Sequence, residues 1–476
     1  MAITNPTKTV EQGQDSGTNF TFAFTVITGL FFIWGFITCL NDILIPYLKK
    51  QFELNYFKAT LVQFSFFGAY FIGSVAYFLY SLKYGDLIER IGYKNCIIWG
   101  LLMAAFGCFL FYPGAEYKIY GIFLTGLFCL GLGFTLLQIA ANPYVAILGP
   151  EKNASSRLNL AQAVNSFGTT IAPIIGGYFL FGHMLNQDAD LEGSTIKSMY
   201  LLFTVIFIAT AITIRYINLP TFKSEEGLAK GASALKYPHL MLGIVAIFAY
   251  VGAEVGIGSL LISFLAMPKI AGMAEMEAST YVSFYWGGLM IGRIIGAVSL
   301  STNIAQVKKI GLMILVPVIS FVIIGFLTNW VIAGNYAIFL ALSLLAFFLG
   351  SSLPARTLGI FSIILVCLVS TAVFASGSLA MWCLVGAGLF NSILWSNIFT
   401  LAIAGLGKYK SQASSLLIMA ILGAALLPVI QGSLADKIGI QRSFIVPIIC
   451  YLYLVFYGFI GYKMGKNKIN LGLRNL

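Results

Sequence analysis

Two acidic residues of this sequence lie deep inside apolar stretches, where carboxylates are rare. Asp42 follows one long nonpolar run, Glu254 lies in the middle of another, and Arg293 is a basic residue in a comparable position. Ionisable groups in such surroundings are costly, so they normally face a cavity or a charged partner. A carboxyl group held there can take up and release a proton, because burial and a nearby cation change its proton affinity in opposite directions. Asp42 and Glu254 are therefore candidates for proton coupling, with Arg293 as a charge partner. The alternative is a fixed structural contact, for example between Glu254 and Arg293.

These residues stand out because the chain carries very little charge. Of its 476 residues, 59% are hydrophobic and only 9% are charged, and the mean hydropathy is +0.91. Soluble domains carry roughly 25% charged residues, whereas a helix that crosses a bilayer needs about 20 apolar ones. The composition predicts a polytopic membrane protein with the lipid bilayer as its surroundings. It excludes a soluble enzyme, a secreted disulfide scaffold and a nucleic-acid binder.

The sequence contains no motif of the usual catalytic or cofactor sites. Its seven cysteines form no CxxC pair, and its two histidines form no HExxH motif. No glycine-rich phosphate-binding loop occurs either. We therefore expect no enzyme activity, no metal and no cofactor.

Apolar runs bounded by charges or turns predict about fourteen membrane-spanning helices. Their approximate limits are 21–47, 58–82, 93–112, 118–147, 157–183, 197–217, 238–268, 276–302, 307–328, 333–352, 357–375, 378–404, 411–435 and 442–462. A polar stretch at 223–237 separates an N-terminal bundle (21–222) from a C-terminal bundle (238–465), with short tails at 1–20 and 466–476. Lys and Arg are more frequent in the loops on the side of the N-terminus. This bias predicts that both termini are cytoplasmic.

An internal repeat divides the chain into two related halves. Gly68, Ile72 and Gly73 recur at one constant offset as Gly287, Ile291 and Gly292, and a later set of residues recurs at a larger offset. The later set is Gly131, Gly133, Asn142, Gly168, Pro173 and Gly177, which match Gly386, Gly388, Asn397, Gly423, Pro428 and Gly432. The growth of the offset corresponds to about two short crossings. It predicts two six-helix bundles with an extra helical hairpin around 329–376. Repeated halves around a central cavity are typical of secondary transporters.

Several motifs resemble those of a known transporter family. Residues 85–94 read GDLIERIGYK, which resembles the GxLxDRxGRK signature of the major facilitator superfamily. Residues 40–46 (LNDILIP), 140–145 (AANPYV), 157–162 (RLNLAQ) and 165–168 (NSFG) resemble the fucose–proton symporter family, including its glucose/galactose branch.

The resemblance implies an all-α major facilitator fold in the cell (inner) membrane. It also implies a proton-coupled symporter of a hexose such as glucose or galactose, with sugar and cation as its partners. It implies proton coupling at Asp42 and at a glutamate of the fourth span, with Gln162 and Asn165 facing the cavity. The glutamate position is occupied here by Gln138, which cannot titrate. We hypothesise that Glu254 compensates for this change. Fucose, mannose or N-acetylglucosamine as substrate, sodium as coupling ion, and a drug or lipid exporter of the same fold remain open.

Sugar recognition needs amides and hydroxyls around the ring hydroxyls and an aromatic face against the ring. The candidates are Trp34, Asn41, Gln138, Asn142, Gln162, Asn165, Trp286, Asn391 and Asn397, with Trp395 as a further possible aromatic platform. The alternative role for the amides is hydrogen bonding between helices.

The charged residues of the loop at 85–94 have a different expected role. Asp86, Glu89 and Arg90 could bridge neighbouring helix ends in one conformation and release them in another, which predicts a gating latch. The alternative is simple anchoring of the loop at the cytoplasmic surface. We expect the transporter to act as a monomer.

Overall fold

The computed structural model describes residues 20–53, 56–181, 189–221 and 233–464, without side chains for some of them, among these 41–47. Both tails and most of the polar stretch at 223–237 lie outside these residues. The first half contains α1 (Phe20–Gln51), α2 (Tyr56–Tyr84), α3 (Leu87–Phe109), α4 (Phe111–Glu116), α5 (Tyr120–Ile147), α6 (Ala154–Phe181) and α7 (Ala189–Tyr216). The second half contains α8 (Pro238–Leu265), α9 (Glu275–Ser299), α10 (Gln306–Leu327), α11 (Trp330–Gly350), α12 (Pro354–Phe374), α13 (Gly377–Asn391), α14 (Leu394–Ile403), α15 (Lys410–Met419), α16 (Gly423–Ile438), α17 (Ile440–Ser443) and α18 (Ile445–Phe459).

Thirteen segments of the described residues are long and apolar enough to cross a membrane. Four of them combine two consecutive helices: α3 with α4, α13 with α14, α15 with α16, and α17 with α18. All thirteen coincide with runs expected from the sequence, which confirms the polytopic helical architecture. The remaining run, 157–183, corresponds to α6, a 28-residue helix that is not among the thirteen.

In the first half, α1 packs along α6, α2 packs on α5, and α3 packs against α5 and α7. The crossing of α1 and α6 is close enough to require glycine. A Cβ atom added at Gly168 of α6 would collide with the main-chain oxygen of Phe32 in α1. Small residues at such crossings let helix backbones approach and gain van der Waals contact, which stabilises helix pairs in lipid.

The second half repeats this arrangement. Helix α8 packs along α16, α9 packs on α13, and α12 packs against α13 and α18. A Cβ atom added at Gly423, the first residue of α16, would collide with the main-chain oxygen of Phe248 in α8. Gly168 and Gly423, which the internal repeat pairs with each other, thus hold equivalent crossings. By its partners, α12 is the counterpart of α3.

Helices α10 and α11 lie outside this repeated arrangement. They pack against each other, and they also contact α9, α12 and α13. Only 17% of the most apolar part of α10 is buried in the protein, against 33% or more for the other candidate spans. The hairpin formed by α10 and α11 therefore lies at the periphery, away from the centre where the two halves meet.

Candidate functional site

A cavity of about 180 Å³ lies between the two halves of the protein. It is lined by α1, α2, α5 and α6 from the first half and by α8, α9, α14 and the turn before α16 from the second. This volume is below the roughly 300–1,000 Å³ of pockets for drug-sized ligands. The cavity therefore suits a small solute that contacts both halves at once.

The first half contributes amide, hydroxyl and aromatic groups to the cavity. Gln138 and Gln162 line it and are 3% and 5% exposed. Asn165 lines it as well, and its amide nitrogen donates to the main-chain oxygen of Phe31 at 2.8 Å. Trp34 completes this wall, beside Gly35 of the same helix. These groups can donate and accept hydrogen bonds and can cover the nonpolar face of a ring.

The second half contributes a charged pair. One Glu254 carboxylate oxygen accepts a hydrogen bond from the Tyr250 hydroxyl at 2.6 Å and lies 4.0 Å from an Arg293 guanidinium nitrogen. All three side chains line the cavity, and Glu254 and Arg293 are 8% and 7% exposed. Removing one partner of such a buried pair typically costs about 3–5 kcal/mol, because the other charge is left without compensation. The arrangement can hold a carboxylate next to a solute in an otherwise apolar setting.

Trp395 also lines the cavity from the second half, and Phe399 stacks against its ring at 6.2 Å between centroids. Its indole nitrogen is buried and has no hydrogen-bond partner within the described structure. A buried N–H donor usually finds an acceptor. The indole nitrogen can therefore donate to a hydroxyl group of a bound solute.

Asn391 takes part in a chain of hydrogen bonds next to the cavity. The Tyr451 hydroxyl donates to the Asn391 amide oxygen at 2.9 Å, and the amide nitrogen donates to the Tyr285 hydroxyl at 3.0 Å. Tyr285 in turn donates to the main-chain oxygen of Glu254 at 3.0 Å. The chain links α18, α13 and α9 to α8 at the point where the buried carboxylate is held. These contacts favour the interhelical alternative for Asn391.

Three further candidates with described side chains, Asn142, Asn397 and Trp286, do not belong to the cavity lining. Asn397 donates to the main-chain oxygen of Pro354 at 3.3 Å, and Asn142 donates to that of Gln138 at 3.1 Å. Trp286 packs beside Tyr285 at 5.3 Å between ring centroids. Asn41 and Asp42 belong to α1, but their side chains lie outside the described ones.

Sequence reasoning missed several residues that line the cavity. Tyr70 of α2 lines the cavity together with Gln138, Trp34 and Thr38. Tyr250 and Thr169 also line the cavity without having been singled out for it. The chain has 24 Tyr residues, so a Tyr in a span carries no signal of its own. Only its spacing from Glu254, one helical turn away, could have indicated Tyr250.

Below the cavity, on the side of the loop between α2 and α3, hydrogen bonds join the two halves. We call this set of contacts the barrier. The Asn153 amide donates to the Asn303 side chain at 2.8 Å and accepts from the main-chain nitrogen and the hydroxyl of Thr302, both at 2.7 Å. Further contacts of the barrier are Ser155 to Thr400 at 2.6 Å, Asn159 to Asn397 at 3.5 Å and Gln412 to Ser81 at 2.9 Å. All of these contacts join uncharged groups.

Asp86, one of the predicted latch residues, is fully buried at this end of the molecule. It caps α3 by accepting from the main-chain nitrogen of Ile88 at 2.9 Å, and it also accepts from the Tyr77 hydroxyl at 2.7 Å. Burial raises the pKa of its carboxyl group above the ordinary value, although these hydrogen bonds act in the opposite direction. Ser411 of α15, from the second half, lies beside this carboxyl group. Arg90 is exposed and donates to the Tyr80 hydroxyl at 2.8 Å, and Glu89 is partly buried.

Comparison with known proteins places this architecture in a family. Residues 20–329 match the Major Facilitator Superfamily. The chain is 42% identical to the glucose/galactose transporter of Brucella abortus over 97% of this chain and 100% of that protein. It is 27% identical to the L-fucose-proton symporter of Escherichia coli over 93% of this chain and 94% of that protein.

A solved structure is similar across the whole fold. The transporter FucP in the outward conformation superposes with a TM-score of 0.73 at 27% identity, covering 92% of this chain and 98% of FucP. The resemblance expected from the motifs at 40–46, 85–94 and 140–168 is thereby confirmed. This chain belongs to the Major Facilitator Superfamily of membrane transporters and, within it, to the FucP family.

Proposed function

We propose that this chain is a sugar symporter that moves a hexose such as glucose or galactose together with a proton by alternating access. The observation that carries the proposal is the small central cavity, in which amides, hydroxyls and aromatic rings surround a buried carboxylate. The similarity to proteins named glucose/galactose transporters over nearly the whole chain supports the same substrate class. Members of this superfamily are transporters, so no enzyme activity is proposed.

For sugar contact we propose Trp34, Gln138, Gln162 and Asn165, which line the cavity from the first half. From the second half we propose Trp395 for sugar contact. Binding a solute between both halves would let its occupancy influence their relative position, which is what transport by alternating access requires. Asn142, Trp286, Asn391 and Asn397 remain weaker candidates, since none of these described side chains belongs to the cavity lining. Asn41 remains a candidate whose side chain lies outside the described ones.

For proton coupling we propose Glu254 together with Asp42. Gln138 and Glu254 line the same cavity from opposite halves, which supports the idea that Glu254 supplies the titratable group missing at position 138. Asp42 follows Thr38 by one turn of α1, and Thr38 lines the cavity. Asp42 therefore lies toward the end of α1 farther from the α2–α3 loop.

We infer a topology with both termini in the cytoplasm and fourteen crossings, because α6 adds one to the thirteen candidate spans. The packing of α12 suggests that the additional hairpin is formed by α10 and α11. The inferred insertion is thus Gln306–Gly350, which begins earlier than the 329–376 expected from the repeat. The two bundles would otherwise follow the limits 21–222 and 238–465, in a monomer of the inner membrane.

With this orientation, the barrier lies on the cytoplasmic side of the cavity. We infer that solutes reach the cavity from the outside, which agrees with the similarity to FucP in its outward conformation. Asp86, Glu89 and Arg90 would then flank the barrier at the cytoplasmic surface, where they act as the gating latch.

The direct test is transport by the purified protein in proteoliposomes. We expect exchange of labelled glucose and galactose in counterflow. A proton gradient should drive accumulation of the sugar, and a sodium gradient alone should not. A panel with fucose, mannose and N-acetylglucosamine defines specificity. Failure to exchange any sugar, or movement of a lipophilic drug or lipid instead, would refute the assignment.

The coupling residue is tested with Glu254→Gln and, as matched control, Glu277→Gln, an exposed glutamate of α9. We expect Glu254→Gln to retain counterflow and to lose accumulation driven by the proton gradient. The control should retain both. If Glu254→Gln still accumulates sugar, another residue carries the proton.

A further inference from the structure

Arg293 bonds to both halves of the protein next to the cavity. It belongs to α9 of the second half, and its Nε donates to the main-chain oxygen of Ser392 at 3.0 Å. Its Nη1 crosses to α6 of the first half, where it donates to the main-chain oxygen of Gln162 at 3.3 Å and to the Ser166 hydroxyl. This guanidinium thus joins the two halves at the level of the cavity, next to the barrier.

Glu254 supplies the charge that balances Arg293. Tyr250 of α8, Tyr285 and Arg293 of α9 and Tyr451 of α18 are the titratable or charged groups that face this carboxylate among the described side chains. The three tyrosines are neutral in the physiological range. The contacts of Arg293 with Ser166, Gln162 and Ser392 are likewise to neutral acceptors. The compensation of the buried guanidinium therefore depends on whether Glu254 carries a proton.

We propose that Arg293 is a positioning residue that transmits the protonation state of Glu254 to the contact between the halves. The proposal rests on the proposed function, since it assumes that Glu254 takes up the coupling proton. With Glu254 ionised, the guanidinium is balanced and stays bonded to α6, so the barrier is closed. With Glu254 protonated, the Arg293 guanidinium is a buried charge whose only partners are neutral acceptors. Because this is unfavourable, the guanidinium leaves its contacts with α6. The bonds to Ser166 and Gln162 are then lost, and the barrier opens more easily.

The direction of this effect is the one a symporter needs. A proton that enters the open side of the cavity weakens the contacts on the closed side, so loading favours passage to the other state. After the proton is released, the pair of Glu254 and Arg293 forms again and favours return of the empty protein to the closed barrier. A bound sugar at Gln162 acts on the same segment of α6, whose main chain Arg293 holds.

The test measures opening of the barrier as a function of pH without sugar. Spin labels replace Tyr216 at the end of α7 and Val307 at the start of α10, which are 83% and 86% exposed and lie on the barrier side. Distances between them are measured in nanodiscs in a background without the native cysteines. The parent protein should show a larger open fraction at acidic pH than at alkaline pH.

The informative variants are Ser166→Ala and Arg293→Gln. Ser166→Ala keeps the charge pair but removes one bond to α6. We therefore expect its open fraction at alkaline pH to rise at least about tenfold, the lower limit for loss of a hydrogen bond to a charged group. Arg293→Gln should have an open fraction that does not change with pH, whereas Arg293→Lys keeps the charge and retains part of the dependence. Ser343→Ala is the matched control, because Ser343 is a buried serine of the peripheral α11 that bonds within its own helix. It should behave as the parent.

Two results would overturn the proposal: equal open fractions in Ser166→Ala and Ser343→Ala at every pH, or an unchanged pH dependence in Arg293→Gln. If Arg293→Gln does not fold, the comparison of the two serine variants decides. The outcome for Glu254→Gln separates this proposal from the proposed function. Accumulation that persists in Glu254→Gln refutes coupling through Glu254. If Glu254→Gln loses accumulation but the Arg293 and Ser166 variants open with pH as the parent does, only the role of Arg293 is refuted.

Discussion

Asn153 makes three of the hydrogen bonds that join the halves in the barrier, so its removal tests whether the barrier sets the conformational equilibrium. The amide accepts twice from Thr302 and donates once to Asn303. A hydrogen bond contributes about 0.5–1.5 kcal/mol net. Three independent bonds would contribute about 1.5–4.5 kcal/mol. Because Asn303 is exposed to water, we expect a contribution of about 1–2 kcal/mol.

This free energy is lost only in the closed state, because the bonds are already broken when the barrier is open. The substitution Asn153→Ala should therefore raise the ratio of open to closed protein by about five- to thirtyfold. The spin-label pair at positions 216 and 307 measures this ratio directly. The ratio of inward to outward sugar-binding sites, obtained by sided inhibition in proteoliposomes, should shift in the same direction.

The matched control is Asn329→Ala in the α10–α11 loop. Asn329 caps α11 by accepting from the main-chain nitrogen of Ile332 at 2.8 Å, and loss of such a cap costs about 1 kcal/mol. This variant should lower thermal stability without changing the ratio of states. If both variants change the ratio equally, or if Asn153→Ala leaves it unchanged, these contacts do not hold the barrier closed.

Three further outcomes follow from particular contacts. Burial raises the pKa of Asp86, so the stability that its carboxyl group contributes is fully present below the unfolded-state pKa and is lost as pH rises through the folded-state value. The melting temperature of Asp86→Asn, relative to that of the parent protein, should therefore increase with rising pH. A difference in melting temperature that stays constant with pH would contradict this. Gly168→Ala should lower the yield of folded protein, measured by size-exclusion chromatography in detergent, because the added methyl group would collide with the α1 backbone. Gly432→Ala should leave the yield unchanged, because there is open space around the added carbon. Tyr285→Phe should cost about 1–2 kcal/mol in denaturant unfolding because Asn391 and the Glu254 main-chain oxygen both lose a partner, and an unchanged midpoint would argue against that network.

The close helix crossings at Gly168 and Gly423 could be predicted from the sequence repeat, because close backbone approach has few chemical solutions. At Gly168 and at Gly423, two helices cross so closely that any Cβ atom would collide with the neighbouring main chain. The charged pair was also predictable. Glu254 and Arg293 stand out against apolar neighbours, and burial in lipid makes an unpaired charge costly.

The division of the amides between cavity and helix contacts could not be predicted. In a soluble helix, the polar face shows which side points to water, but the helices of this protein are apolar on nearly every side. Asn165 and Asn391 therefore look alike in sequence, although one lines the cavity and the other connects two tyrosines. Their difference depends on the rotation of each helix about its axis, which is set by packing against its neighbours.

The neutral chemistry of the barrier contacts bears on the energetics of transport. When Asn153, Ser155 and Gln412 separate from their partners, each exposes groups that water can hydrate almost as well. The exchange of protein contacts for water contacts therefore costs only about 1–2 kcal/mol at Asn153, and ionic strength has little effect on this cost because these groups carry no charge. A transporter built in this way can cycle between its states by thermal motion. The net direction of sugar flow then follows from the concentrations of sugar and coupling ion on the two sides of the membrane.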